Sequence, residues 1–421
     1  MMDYQESLEW IHSKLKFGIK PGIERVKWLL QELGNPQDKV KGVHIVGTNG
    51  KGSTVNYLQN IFTAAGYEVG TFTSPFIMDF RERISLNGQM ISKEDLTTMV
   101  NLIKPIVERL PLETPWEAAT EFEIITVLMF LYFGEIHPVD IAFVEAGMGG
   151  LYDSTNVFQP LAVICTSIGL DHQAYLGDTH AAIAENKAGV LKKRTPLIYA
   201  SNRGDVSHVF EEKVRQLSGK SYLLGRDFFY KNVGDDFNFY LEQKVLKSVS
   251  LAMPGQHQKD NASLAIMTSL FLKKDFPNLT DSIILSALSN SRWLGRTEFI
   301  RPNLMIDGAH NKESIQVLVD LLKSKYADKK IQILFAAISG KPIDAMLEML
   351  NSFAGLTVTS FDYPTALELK DYPGRYNRVH SWQDWLETVD QDSRNLYLVT
   401  GSLYFISDVR QSLVGSTEKN K

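Results

Sequence analysis

At 421 residues the chain is too long for one ordinary hydrophobic core, so two domains are expected. Hydrophobic residues at 44% and charged residues at 22% describe a globular protein and exclude a disordered one. A net charge of −5 offers no basic field for nucleic acid, and a single cysteine, Cys165, excludes an internal disulfide.

In chain order, the segment MMDYQESLEWIHSKLKFGIK mixes charges and has no signal-peptide core. A first strand is expected in GVHIVG, ending at a glycine-rich turn. Val55, Leu58, Ile61, Phe62 and Ala65 then recur at helical spacing until Gly66. Strand-like runs follow in YEVGTFTS, VDIAFVEAG, LAVICTSIG and TPLIYA. Helical patterns lie among them in EFEIITVLMFLYFGEI and in DTHAAIAENKAGVL, the latter begun by Asp178. The apolar run IITVLMFLYF is too short to cross a bilayer and reads as a buried helix. Cys165, inside LAVICTSIG, reads as a buried inert thiol. Such alternation predicts a mostly parallel sheet wrapped by helices.

Residues 222–250 turn aromatic, alternating and turn-rich, which predicts a small antiparallel sheet. After Arg296 a second α/β series begins. Its strands are expected in NLMIDGAHN, KIQILFAAI, GLTVTSFDY and NLYLVTGSLYF, with helices near 312–325, 343–353 and 381–390 and a last one at the end. The division is therefore placed at 294/295, the second part being a smaller nucleotide-type fold without its own phosphate loop. A soluble, cytoplasmic protein with neither a membrane nor a nucleic acid as partner is expected.

Chemistry concentrates in HIVGTNGKGSTVNYL. The usual phosphate loop reads Gly, four residues, then Gly-Lys-Ser/Thr. Here Gly47, Thr48, Asn49, Gly50, Lys51, Gly52 and Ser53 form a shortened version, with Gly52 between the lysine and the hydroxyl. The glycines permit positive φ and close approach of backbone N–H groups to phosphate oxygens. Lys51 supplies a compact charge, and the Ser53 hydroxyl can reach a phosphate-bound Mg²⁺. A plain glycine turn is the weaker reading, because a strand precedes the loop and an amphipathic helix follows it. Glu145, ending VDIAFVEAG ahead of Gly147, Gly149 and Gly150, is placed to hold magnesium; alone it would be an ordinary strand-end charge. His172 follows the next strand and suggests a second metal position. His44, His137 and His257 read as structural or solvated, and Lys187 by itself as a helix-surface lysine.

The elements GTNGKGS, TSPFIMDFRERI, TEFE, GMGGLYDSTN, LDHQAYLG, AENKAGV, RWLGRTE, DGAHN and TGSLY run in order from about residue 3 to 414. Together they resemble the folylpolyglutamate synthase and dihydrofolate synthase family of the Mur-ligase superfamily. That resemblance implies an α/β fold with an N-terminal P-loop ATPase domain, 1–294, carrying a mostly parallel sheet plus a small antiparallel one. It implies a C-terminal Rossmann-like domain, 295–421; a monomer is expected, with nothing in the sequence itself to fix the oligomeric state. The implied reaction uses ATP, two Mg²⁺ ions, L-glutamate and a reduced folate or dihydropteroate, and passes through an acyl phosphate. By motif match, Gly50 to Ser53 hold the triphosphate, Ser74, Glu145 and His172 join Ser53 as metal ligands, and Lys187 is carbamylated. Asn261 lies near the nucleotide, Arg296 reaches the phosphates, Asp307 binds the ribose and His310 lies near the amino acid. Thr120, Glu121, Phe122 and Glu123 form the pterin-side wall, with Asp153 on the substrate side; core packing is an equal reading for Phe122. Lys51, Lys187, His172 and His310 are the catalytic candidates. Glutamate addition to folate, dihydropteroate–glutamate joining, or both remain open, as does a nucleotide-dependent binding module without ligase activity.

Overall fold

The computed structural model describes residues 1–14, 20, 22–353 and 355–418. Two compact units emerge: Met1–Ala252 with Gln258–Ser291, and Met253–His257 with Arg292–Lys421. The main division thus falls at Ser291/Arg292, against an expected 294/295. The short return of Met253–His257 to the second unit leaves no periodicity for a sequence reading to detect.

The first unit is built on eight strands: β1 (Gly42–Val46), β2 (Val69–Phe72), β3 (Ile84–Leu86), β4 (Gln89–Met90), β5 (Ile141–Glu145), β6 (Ala162–Cys165), β7 (Leu197–Tyr199) and β8 (Ser221–Leu223). Their order is β4-β3-β2-β5-β1-β6-β7-β8. All neighbours from β2 to β8 are parallel, while β3 and β4 turn back antiparallel at one edge. Every residue of β1 and β5 is buried, as a strand covered on both faces requires. Helix Lys51–Ala64 follows β1 directly. Its Phe62 ring meets Phe143 of β5 edge-on at 5.1 Å and Phe276 at 5.3 Å, pinning the helix to the sheet.

Helix Glu121–Leu131 is buried almost all round and continues as a π-turn through Tyr132–Ile136, so the apolar run is indeed internal. Among the described residues no helix is long and apolar enough to cross a membrane. Helix His180–Ala188 starts one residue later than expected: Thr179 is its cap, its hydroxyl accepting from the Ala182 N–H, in place of Asp178. The reading along the chain passed over β3, β4 and the 21-residue helix Lys93–Glu113, whose interior carries Pro105 and Pro111.

The expected antiparallel segment also needs correction at its start. Ser221–Leu223 pairs in parallel with β7, so it extends the main sheet. The antiparallel sheet proper is β9 (Phe228–Val233), β10 (Asp236–Leu241) and β11 (Lys244–Val249). Phe228, Phe237, Phe239, Leu246 and Val249 are its buried members.

The second unit carries six strands: β12 (Glu298–Arg301), β13 (Leu304–Asp307), β14 (Lys330–Phe335), β15 (Gly355–Val358), β16 (Asn377–Arg378) and β17 (Asn395–Thr400). They are ordered β12-β13-β17-β14-β15-β16 and are parallel except for the edge strand β12. The expected helices are present as Lys312–Lys325, Ile343–Leu350, Trp382–Glu387 and Leu403–Glu418. Those at 343 and 382 are shorter than predicted; the latter is capped by Ser381, which accepts from the Asp384 N–H.

Phe62 is the test of the first unit's packing. Phe62→Ala removes the ring shared by Phe143 and Phe276 and should cost about 3–5 kcal/mol. Urea denaturation should show the midpoint falling with an unchanged slope.

Candidate active site

In the first unit β2, β5, β1 and β6 are adjacent, with Phe72 opposite Val144, Ile45 opposite Glu145 and Val46 opposite Cys165. Four chain segments therefore leave the same edge side by side. They carry Ser74 after β2, Glu145 at the end of β5, the glycine loop after β1, and residues 166–172 after β6. The carboxyl edge of a parallel sheet is where such folds bind ligands.

Gly47 and Gly50 have φ of 148° and 88°, and Gly50 is the cap of helix Lys51–Ala64. With no side chain at that cap, the helix's leading N–H groups are left facing outward, as anion binding needs. A Cβ on Gly50 would collide with the Asn261 amide, and one on Gly47 with the Thr166 hydroxyl, so both positions demand glycine. Asn261 is thereby placed against the loop. The buried Ser53 hydroxyl accepts from Gln258 Nε2 at 3.4 Å. The main-chain N–H groups of Thr48 and Asn49 instead donate to Ser167, to its carbonyl and its hydroxyl, both at 2.9 Å. The loop amides left to an incoming anion are thus narrowed to the stretch from Gly50 to Ser53.

Three charges organise the loop. Lys51 Nζ donates to the Gly47 carbonyl at 3.1 Å and lies 3.7 Å from Glu145 Oε1. Lys187, buried, donates to the same carbonyl at 2.9 Å. Burial first, and then the Lys51 charge, brings the Lys187 amine down to about 8. Its helix also holds the double-glycine loop, since Asn186 Oδ1 accepts from the Gly150 N–H at 3.0 Å. Asp153 closes that loop by accepting from the Met148 and Thr155 N–H groups and the Thr155 hydroxyl; burial raises its carboxyl. His44 bonds to the same hydroxyl at 2.7 Å, and burial takes it to about 3, so it stays neutral. Cys165 is fully buried, its thiol pushed up to about 12 by that burial. His172 has a left-handed backbone, φ 53°, and an imidazole that is 45% exposed.

Among the described residues no three His, Cys, Asp or Glu side chains gather closely enough for an all-protein metal cage. The edge offers one buried carboxylate, the Ser53 and Ser74 hydroxyls and the His172 imidazole. That set fits Mg²⁺, which takes one or two carboxylates and completes its shell with water and substrate phosphates. The Lys51 ammonium beside Glu145 shows that this carboxylate already faces a cation.

Residues 45–269 match the Mur ligase middle domain. The chain is 39% identical to the dihydrofolate synthase/folylpolyglutamate synthase of Bacillus subtilis, covering 97% of this chain and 99% of that one. It is 34% identical to the folylpolyglutamate synthase of Lacticaseibacillus casei over 98% and 99%. The chain belongs to the folylpolyglutamate synthase family of Mur ligases. A solved FPGS–AMPPCP–folate complex superposes with a TM-score of 0.85 at 32% identity, over 98% of this chain and all of that one. The two-part α/β architecture is therefore the family's.

Within this family member, the residues expected on the pterin side make contacts of different kinds. Thr120 and Glu123 form a capping box: Thr120 Oγ1 accepts from the Glu123 N–H, and Glu123 accepts from the Thr120 N–H at 2.7 Å. Glu123 also pairs with Arg25 at 2.7 Å, so both side chains are engaged in building the helix start. Glu121 pairs with His12 at 2.9 Å and Arg83 at 3.5 Å. Phe122 lies 5.8 Å from the Phe72 ring and covers Gly147, a packing position at the edge of the core. His12, Arg25 and Arg83 escaped the sequence reading because their partners lie tens of residues away, with no local pattern to link them.

In the second unit, Asp307 ends β13 and is buried. Its two oxygens accept from the Thr297 N–H at 2.8 Å and the Ala309 N–H at 2.9 Å, so it shapes the turn after the strand. Burial raises this carboxyl, and Arg296 opposes the rise. The Arg296 guanidinium lies beside Gly308. His310 Nδ1 donates to the Gly308 carbonyl at 2.7 Å, which fixes the orientation of the ring. His257, expected to be structural, is brought down to about 4 by burial and then by Arg296.

Glu145→Ala deletes a charge at a strand end, not a core ring. Turnover should fall about 100-fold or more at saturating Mg²⁺, with the thermal midpoint changed by only about 2 °C. Steady-state ADP release and a melting curve on the same sample check both halves.

Proposed function

We propose that the protein is an ATP-dependent ligase that joins the amino group of L-glutamate to the γ-carboxylate of a reduced folate. The observation that carries this reading is the meeting of Lys51, Lys187 and Glu145 at an uncapped helix start on the glycine loop. The family's relatives named for this activity support it.

The chemistry requires two anions to meet. A folate carboxylate oxygen attacks the γ-phosphorus of ATP, the bond to the bridging oxygen breaks, and ADP departs with the electron pair. The neutral amine of glutamate then attacks the acyl carbon, inorganic phosphate leaves, and the nitrogen loses a proton to give the amide. The N–H groups of Gly50 to Ser53 hold the triphosphate, and Lys51 leaves the Glu145 side to neutralise its terminal oxygens. Ser53, Ser74, Glu145 and His172 would hold Mg²⁺, which when bound would screen the repulsion between carboxylate and phosphate. Arg296, Asp307 and His310 are assigned to phosphate, ribose and amino acid by motif match. Phe122 and Asp153 are assigned to the pterin side on the same ground.

We assign to Lys187 a carbamate. A lysine near 8 exposes a neutral amine at mildly alkaline pH, the form that attacks CO₂ with loss of one proton. Because the folded value lies below that of a free lysine, the buried charge costs stability below about pH 8. That cost fades as pH rises through this value. The carbamate turns a second buried cation into an anion that suits neighbouring metal ions. Bicarbonate added to CO₂-stripped enzyme at pH 8 should raise turnover several-fold, and Lys187→Ala should abolish the response. Activity indifferent to bicarbonate would reject the carbamate.

A second reading, dihydropteroate–glutamate joining, is favoured by the double name of the Bacillus relative. ADP release measured with glutamate and either tetrahydrofolate or dihydropteroate separates the two. Turnover with tetrahydrofolate is the expected result. Glutamate-dependent turnover with neither acceptor would overturn the ligase assignment.

A further inference from the structure

The glycine loop is gripped by the segment that leaves β6. The buried Thr166 hydroxyl donates to the Asn49 carbonyl at 2.6 Å, and its Oγ1 occupies the space that a Gly47 side chain would need. The Ser167 hydroxyl donates to that same carbonyl at 3.0 Å and accepts from the Asn49 N–H at 2.9 Å. One serine thus holds both polar groups of one loop residue. The grip extends outward: the Thr48 N–H donates to the Ser167 carbonyl at 2.9 Å, and the Gly169 N–H donates to Thr48 Oγ1 at 2.9 Å.

Two consequences follow from chain connectivity. The gripping segment runs on to His172, so the turn that carries Lys51 and Ser53 is bonded to the turn that carries the imidazole. The grip also takes up the polar groups of Thr48 and Asn49, which lets the remaining amides, Gly50 onward, be presented together at one helix start. A loop held this way keeps its shape before any ligand arrives, and preorganised donors bind and stabilise charge better than donors that must first be gathered.

The geometry points to Thr166 and Ser167 as positioning residues for the phosphate loop, acting through Asn49 and Thr48 and coupling nucleotide affinity to the metal site. This rests on the reading of the loop as an ATP site. Neither hydroxyl touches the reacting atoms; their effect passes through the loop backbone.

The test uses the full chain with Thr166→Val, Ser167→Ala, the pair together, and Thr166→Ser as the conservative variant. AMPPCP affinity with Mg²⁺ is measured by titration calorimetry, alongside KM for ATP, KM for glutamate, the half-saturating Mg²⁺ concentration and the melting midpoint. Losing one such hydrogen bond should weaken AMPPCP binding about tenfold, and the half-saturating Mg²⁺ should rise with it. KM for glutamate should stay within about twofold, and Thr166→Ser should restore affinity to near wild type. Unchanged AMPPCP affinity in both Ser167→Ala and the double variant overturns the inference. So does a uniform rise of every KM that tracks the melting midpoint and is not rescued by Thr166→Ser. Wild-type protein that binds no AMPPCP overturns the ATP-site reading itself, and so is told apart from failure of the grip alone.

Discussion

The Lys51 and Lys187 amines converge on the carbonyl of Gly47, and the Glu145 carboxylate lies 3.7 Å from Lys51. Bringing like charges together at a poorly solvated spot is unfavourable: burial first, and then the Lys51 charge, lowers Lys187 to about 8. Two bare lysines give the site an excess of positive charge that a polyanion can answer; with Lys187 carbamylated, that excess would rest on Lys51 and on bound metal ions. The surrounding structure can be understood as what it takes to hold that imbalance: a buried sheet edge, an uncapped helix and two loops bonded to each other.

Strand order does most of the assembly. Residues 47–53, 74, 145 and 172 are far apart in sequence, and their segments leave one sheet edge because β2, β5, β1 and β6 are consecutive in the sheet and point the same way. No side chain chooses this arrangement. Parallel strands need crossovers, the crossovers return on the helical faces, and every strand therefore ends at the same edge. Apolar runs such as GVHIV and IAFVE specify the sheet, and the candidate functional groups end such a run or follow it.

For that reason the phosphate loop, Glu145 and the α/β alternation were legible from the residues alone: each is a local pattern, a glycine spacing or a polar residue ending an apolar strand. What stayed hidden was non-local. The Lys187 ammonium looked like a helix-surface charge, since no periodicity in AENKAGV reports that its side chain is buried under the glycine loop. Thr120 and Glu123 spell a capping box by their spacing, and the structure forms it. The partnership of Glu123 with Arg25 joins two elements about a hundred residues apart. Short strands such as β3, β4 and β16 went unnoticed because two or three residues carry too little alternation to register. The error at Asp178 against Thr179 is a choice between two adjacent capping residues that only the backbone settles.

The bare start of helix Lys51–Ala64 has a consequence for how this protein can change over time. Helices usually gain from a serine, threonine or aspartate at that position, so a substitution giving the helix its own cap would normally be welcome for stability. At Gly50 the left-handed backbone and the Asn261 amide close that route. The protein thus forgoes self-sufficiency at the one place where a visitor must supply the missing partner, and drift toward greater robustness is blocked there by shape alone.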